Sequence, residues 1–248
     1  MRCRTSLLPL ALAGQLIADP LRAQSTEWTS VEQGATWYSV VVDQAITERA
    51  ALVFDGQWRR MGLGAEPQQV LLRSGLLVTV APGVRVGGGY AWVATAPYGE
   101  APSATPVREH RAWQQLSMSQ RIGRLGVTHR YRLEQRWLAP VLPEGTGPRA
   151  YQQRARYLVR VQGDLPVLRL AGSSMLGFAW NELLLPIGHG DATLRVTQNR
   201  LGAGIGIPLD SRRRLEVGYM NLWNALAARG VNEFNHTLTV SLVWSATR

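Results

Sequence analysis

The residues in this chain best equipped for chemistry are arginines, and they recur two positions apart. Arg130, Arg132, Glu134 and Arg136 form one run, Arg154, Arg156 and Arg160 a second, and Arg200 and Glu216 stand in later segments of the same kind. A guanidinium stays charged at any physiological pH, and its planar fork can hold a carboxylate or phosphate through two hydrogen bonds. A spacing of two places such side chains on one face of a β-strand, whereas a helix would scatter their apolar neighbours around its axis. Two kinds of chemistry fit the pattern. One is an anion-attracting passage or pocket; the other is a polar network in which Glu109, Glu134, Glu182 and Glu216 neutralise neighbouring arginines and stiffen a wall.

Other catalytic or ligand-binding patterns are weaker. His110, His129, His189 and His236 are dispersed and show no paired spacing for a metal. His110 lies near Ser117 and Ser119, but seven or nine residues along a strand is more than ~20 Å, so only cross-strand partners could serve it. Gly202, Gly204 and Gly206 make no phosphate loop and read instead as an inward strand face where the wall is crowded. No catalytic residues, metal ligands or cofactor motif are assigned, and the chain is not expected to be an enzyme. Cys3 is the only cysteine, which excludes a disulfide scaffold.

The formal charge is +10, and all 27 basic residues are arginine. Such a charge suggests nucleic acid, but the pattern opposes it. Backbone-tracking proteins cluster cations on one accessible surface with exposed aromatics between them, whereas these arginines alternate along strands with apolar residues. The compact run from Arg212 to Arg214 sits at a short turn. No nucleic-acid partner is expected. A hydrophobic fraction of 46% excludes wholesale disorder.

The elements that must position these side chains begin with a targeting segment. Arg2 and Arg4, the mostly apolar stretch from Ser6 to Ala18, and small Ala23 have the layout of a secretory signal peptide over 1–23. The remaining 24–248 are expected to form one domain. Period-2 alternation recurs there, as in Leu238, Val240, Leu242 and Trp244 against Thr237, Thr239 and Ser241. Strands are predicted at 36–44, 50–61, 69–81, 84–95, 108–122, 125–138, 151–164, 168–184, 192–207, 213–224 and 234–245.

Connections between these strands alternate in length. Short ones fall at 45–49, 82–83, 123–124, 164–167 and 209–212, and longer ones at 62–68, 96–107, 139–150, 186–191 and 225–233. One tight rim and one loose rim is the pattern of an antiparallel transmembrane, outer-membrane β-barrel. Because bacterial barrels usually have an even strand count, residues 28–33 are expected to supply a twelfth strand, with ten strands as the alternative. Trp58, Trp92, Trp113, Trp137, Trp180 and Trp223 lie toward strand ends that meet a long loop, as an aromatic girdle at one membrane interface would require.

At this point the chain resembles domain-of-unknown-function family 2490. The resemblance rests on the run from Arg130 to Arg136, then Arg154-Ala155-Arg156, Asn181-Glu182, the stretch from Gln198 to Gly202, and that from Leu215 to Tyr219. It covers roughly Trp37 to Trp244 and implies a bacterial outer-membrane β-barrel of the Gram-negative type, with no established activity and no catalytic residues. One departure is the tail from Ser245 to Arg248 after the last aromatic, since barrel-assembly recognition usually reads a terminal aromatic.

With apolar residues facing lipid, the opposite parity must point inward. Arginine on the lipid face near the midplane would cost about 2–4 kcal/mol. Arg130, Arg132, Glu134, Arg136, Arg154, Arg156, Arg160, Arg200 and Glu216 are therefore expected in the lumen. The expected function is a narrow pore or binding barrel for small anionic solutes. A lipid- or lipopolysaccharide-modifying enzyme and a structural barrel with a closed lumen are the alternatives. Expected partners are outer-membrane lipids, lipopolysaccharide, the barrel-assembly machinery and small anions.

Overall fold

The computed structural model describes residues 28–62, 64–170, 173–188, 195–227 and 230–246. The signal peptide assigned to 1–23 and His189 lie outside the described residues. In chain order the strands are β1 (Thr29–Ala45), β2 (Ala50–Met61), β3 (Glu66–Ala81), β4 (Val84–Thr95), β5 (Val107–Ile122), β6 (Leu125–Leu142), β7 (Gly145–Thr146), β8 (Ala150–Leu170), β9 (Ser173–Ile187), β10 (Gln198–Pro208), β11 (Arg213–Leu226) and β12 (Val231–Ala246). Every strand but β7 pairs with a neighbour on each side, and β5–β6 and β1–β12 contacts complete the circle. The result is a closed barrel of eleven strands. Strand β7 pairs only with the end of β6, outside the ring.

Eleven strands correct the expected twelve, and the barrel is mixed rather than wholly antiparallel. Residues 28–33 do not make a separate strand. Thr29 to Gly34 form the opening of β1, where they pair with β12 before β2 joins at Ala35–Met61. Hairpin connections reverse direction at each step, so an odd number of strands leaves one pair running the same way. That pair is β1 with β12, in parallel register from Thr29–Val231 to Gln44–Ala246. Inside this seam the Ser39 and Ser241 hydroxyls are 2.6 Å apart, and Gln33 donates to Glu233 near the rim.

The two rims differ, though less than the sequence suggests. One carries the connections 46–49, 82–83, 123–124 and 209–212. Gly83 (φ +72°) and Gly123 (φ +59°) supply the positive φ that two-residue hairpin turns demand. The expected turn at 164–167 is instead strand: β8 continues to Leu170 against β9, with a register shift between Leu165 and Arg169. On the opposite rim, 62–65 and 227–230 are also short, because the flanking strands run further than their periodicity shows. The longer connections there are 96–106, 188–197 and the segment containing β7. The first crosses toward β1, where the Glu100 amide donates to Gln33.

Alternation sorts the side chains into two populations. Leu52, Phe54, Leu72, Leu76, Leu133 and Leu238 face outward and are exposed, while their sequence neighbours Arg73, Arg132, Glu134 and Thr237 are buried. This is the reverse of a globular protein, in which large apolar side chains fill the interior.

Candidate functional site

The lumen divides into a packed half and a hollow half. Toward the long-connection rim its cross-section is filled by apolar Leu71, Val93, Leu184 and Leu222, by polar Asn235 and Thr237, and by ion pairs. Toward the short-turn rim lies a cavity of about 550 Å³, lined at its mouth by Asp43, Ser119, Thr128, Gln162 and Arg214. Arg85 and Arg214 at this mouth are about one third exposed, whereas Glu134 deeper in is 1% exposed. An eight-stranded barrel is filled by side chains and a sixteen-stranded one leaves a channel; eleven strands give a chamber closed at one end among the described residues.

Four carboxylates organise the ion pairs. Glu134 accepts from Arg154 and, at 2.8 Å, from Arg156 Nη1, with Arg111 3.9 Å away. Arg156 also reaches Glu182, its Nη2 lying 2.7 and 2.8 Å from the two carboxylate oxygens. Glu182 takes further bonds from Arg130 (2.9 Å) and Arg200 (3.2 Å). Glu109 is held by Arg111 and by Arg136 in a bidentate fork at 2.6 and 2.9 Å. Glu216 accepts from Arg160 at 2.8 Å and Arg214 at 2.7 Å. Arg156 therefore bridges two carboxylates, joining β6, β8, β9 and β10 across the inner wall. A buried ion pair is costly to desolvate and holds only when its remaining donors and acceptors are met; here each carboxylate receives at least two guanidinium bonds.

All nine residues expected in the lumen face inward, and the polar network proposed for Glu109, Glu134, Glu182 and Glu216 is present. Arg59, Arg73, Arg85 and Arg214 join them, as do Asp43 and Asp55. Arg59, Arg73 and Arg85 stand outside the arginine runs spaced two apart, and Arg214 belongs to the compact run from Arg212 that the sequence places at a short turn. The parity of Arg85 against Val84 and Val86 was the available signal. Arg73 pairs with Asp55 at 3.0 Å and Arg85 with Asp43 at 2.6 Å. Arg59 and Arg132 have no carboxylate within ion-pair reach among the described residues. Arg59 bonds Gln57 and Gln69 and lies 3.7 Å above the Trp37 ring. Arg132 bonds Gln115 and lies 5.1 Å from the Trp113 ring.

The six tryptophans assigned to a girdle divide. Trp58, Trp92, Trp137 and Trp223 share the outward parity, each three to five residues from a strand end at the long-connection rim. Trp113 and Trp180 are corrections: both point inward and line the cavity, and Trp113 is 2% exposed. Parity places them there, since Trp113 follows Glu109 and Arg111 and Trp180 precedes Glu182. Glycine on the paired strand gives them room. Trp113 stands opposite Gly89 and Trp180 opposite Gly202, and a Cβ at Gly202 would lie 2.7 Å from the Trp180 ring. The expected crowding at Gly202 and Gly204 is thus explained by inward aromatic rings, with Phe178 meeting Gly204.

The described histidines occupy the opposite surface. His110, His129 and His236 face outward, their Nδ1 atoms bonded to Tyr90, Tyr157 (2.9 Å) and Tyr219 (2.6 Å) hydroxyls respectively. His110 is therefore turned away from the inward-facing Ser117.

The family model described as a protein of unknown function (DUF2490) matches residues 34–234. The chain belongs to this family. The DUF2490 match runs from β1 into β12, so every charged group of the lumen described above falls within it. Comparisons with curated proteins and with solved structures found no match.

Proposed function

We propose that this DUF2490 chain is an outer-membrane β-barrel of a Gram-negative bacterium that binds small anionic solutes in a one-ended lumen. The observation that carries this reading is the composition of the cavity wall: eight arginines against four carboxylates, behind a mouth open at one rim. Fixed positive charge in a confined, low-dielectric space concentrates anions. The packed half of the lumen favours binding over through-passage.

Membrane placement is supported by the outer surface. Its exposed leucines, valines and aromatics form a band that water would leave unsatisfied but acyl chains would cover. Lipids and lipopolysaccharide are then the partners of this band, and the barrel-assembly machinery inserts it. Short turns face the periplasm in such barrels, so the cavity would fill from the periplasmic side.

Planar-bilayer recording and anion binding by the purified protein test the reading together. The expected result is no steady conductance, with saturable anion binding that falls when Arg130 and Arg132 are replaced by Gln. Steady conductance would establish a pore instead. Absence of anion binding would leave the closed structural barrel, which the saturated bonding of Glu134 and Glu182 otherwise favours. Recovery of the chain in the soluble periplasmic fraction, without heat-modifiable gel migration, would overturn the membrane reading.

A further inference from the structure

The cavity has two unlike walls. Going round the barrel from β1, the strands directly opposite are β6 and β8. On β6 and β8 the cavity meets Arg130, Arg132, Arg156 and Arg160. On β12, β1, β2 and β3 it meets Val243, Val41, Val53 and Leu77, with Ser39, Thr239 and Ser241 beside them. Val41 and Val243 are direct register partners across the parallel seam, and Val53 packs against the cluster of Leu77, Ala91 and Trp113. The acidic groups interspersed on this apolar side, Asp43 and Asp55, are already paired with Arg85 and Arg73.

Among the described residues, the buried polar atoms of the cavity lining that lack a partner are all donors. Arg73 Nε, Arg132 Nη1, Arg200 Nε and Trp113 Nε1 are buried without a hydrogen-bond partner, and all four side chains line this one cavity. Each of these residues is more than nine-tenths buried. Buried donors without acceptors are rare and costly in native proteins. These four donors come from β3, β5, β6 and β10, around the cavity rather than on one wall. With no orphan acceptor among the buried lining atoms they define a ligand that accepts, and the arginine excess defines it as an anion.

Resting on the anion-binding reading above, we infer that the ligand is an amphiphilic organic anion. Its carboxylate head is held by Arg132 with the free donors around it, and its apolar body lies against Val41, Val53 and Val243. The chamber volume is in the range of pockets that enclose a small organic molecule. A bare inorganic anion would satisfy the donors and leave the apolar wall uncovered. The shared chemistry is one carboxylate on an apolar body, and the body is either a short acyl chain or an aromatic ring.

Calorimetric titration of the purified full chain in phosphatidylcholine nanodiscs tests this with four probes: octanoate, phenylacetate, octanol and inorganic phosphate. Octanoate or phenylacetate should saturate at one site per chain, at least about tenfold more tightly than phosphate, and octanol should give no saturable heat. The tighter of the two carboxylates identifies the body. Arg132→Gln should weaken the carboxylate by about tenfold or more. Val41→Ser with Val243→Ser should weaken it several-fold and leave phosphate unchanged. Phosphate binding as tightly as the organic anions would overturn this inference and leave the anion-binding function standing. Binding of none of the anions would remove both, and octanol binding as well as octanoate would remove the role of the arginine head site. Should Arg132→Gln fail to show heat-modifiable migration, the four-probe comparison on the unsubstituted chain decides alone.

Discussion

Glu134 is the least exposed charged side chain among the described residues, and its environment explains why it can stay ionised. Arg154 and Arg156 donate to its two oxygens, with Arg111 close by. Removing one partner from such a group strands the others, because the guanidiniums were desolvated on the strength of this carboxylate. Glu134→Gln should therefore lower the unfolding free energy by about 3–5 kcal/mol, measured by urea titration of the folded barrel. Glu32, largely exposed on the outer surface of β1, provides the contrast: its 3.9 Å approach to His236 is a surface pair, and Glu32→Gln should change stability by less than about 1 kcal/mol. Equal effects at the two positions would show that the lumen network contributes nothing beyond surface electrostatics.

Within single strands, the deciding features are parity and glycine. On β3 and β4, Gly75 and Gly89 are register partners whose missing side chains admit the Trp113 indole. A Cβ at Gly75 would stand 2.3 Å from the Trp113 ring and 2.5 Å from the Gly88 carbonyl oxygen. Gly75→Ala should accordingly cost about 1–3 kcal/mol. In a Trp113→Ala background the added cost should be smaller, since one of the two obstructions is gone, and a double-mutant cycle reads the difference. Strict additivity would show that the indole does not rest on this glycine. Leu133, outward on β6 between Arg132 and Glu134, tests the other face. In a lipid-facing barrel Leu133→Arg should cost about 2–4 kcal/mol, as measured by unfolding in lipid vesicles. A change within about 0.5 kcal/mol would indicate that this face meets water.

For the molecule as a whole, the odd strand count has a topological consequence. Strands β1 and β12 both run from the long-connection rim to the short-turn rim, so the start of β1 and the end of β12 lie at opposite rims. In the proposed outer-membrane placement, with the short turns in the periplasm, connection 96–106 faces the outside. Ala104→Cys in that connection should react with an impermeant maleimide on whole cells, whereas Arg124→Cys in the 123–124 turn should react only after the outer membrane is permeabilised. The opposite pattern would invert the barrel and place the cavity mouth at the cell surface.

Much of this was legible in residue order. Where a face is half apolar and half charged, alternation alone assigns each side chain to a wall, because the strand period is two whatever the strand pairs with. Alternation therefore places Arg130, Arg132 and Glu134 inward and Leu133 and Leu238 outward. Nearness to a rim without parity misplaces Trp113 and Trp180, and the glycines that admit their rings come from other strands.

What the sequence by itself determined is the β architecture, its inner and outer faces and its arginine-lined lumen, all of which follow from local periodicity. What only the tertiary structure decided is how the wall closes and what the lumen contains: eleven strands with a parallel seam, a packed half, and a chamber with one cationic and one apolar wall. Those depend on register between strands up to two hundred residues apart, as in Thr29 beside Val231. No local spacing can encode which inward side chains meet across the barrel.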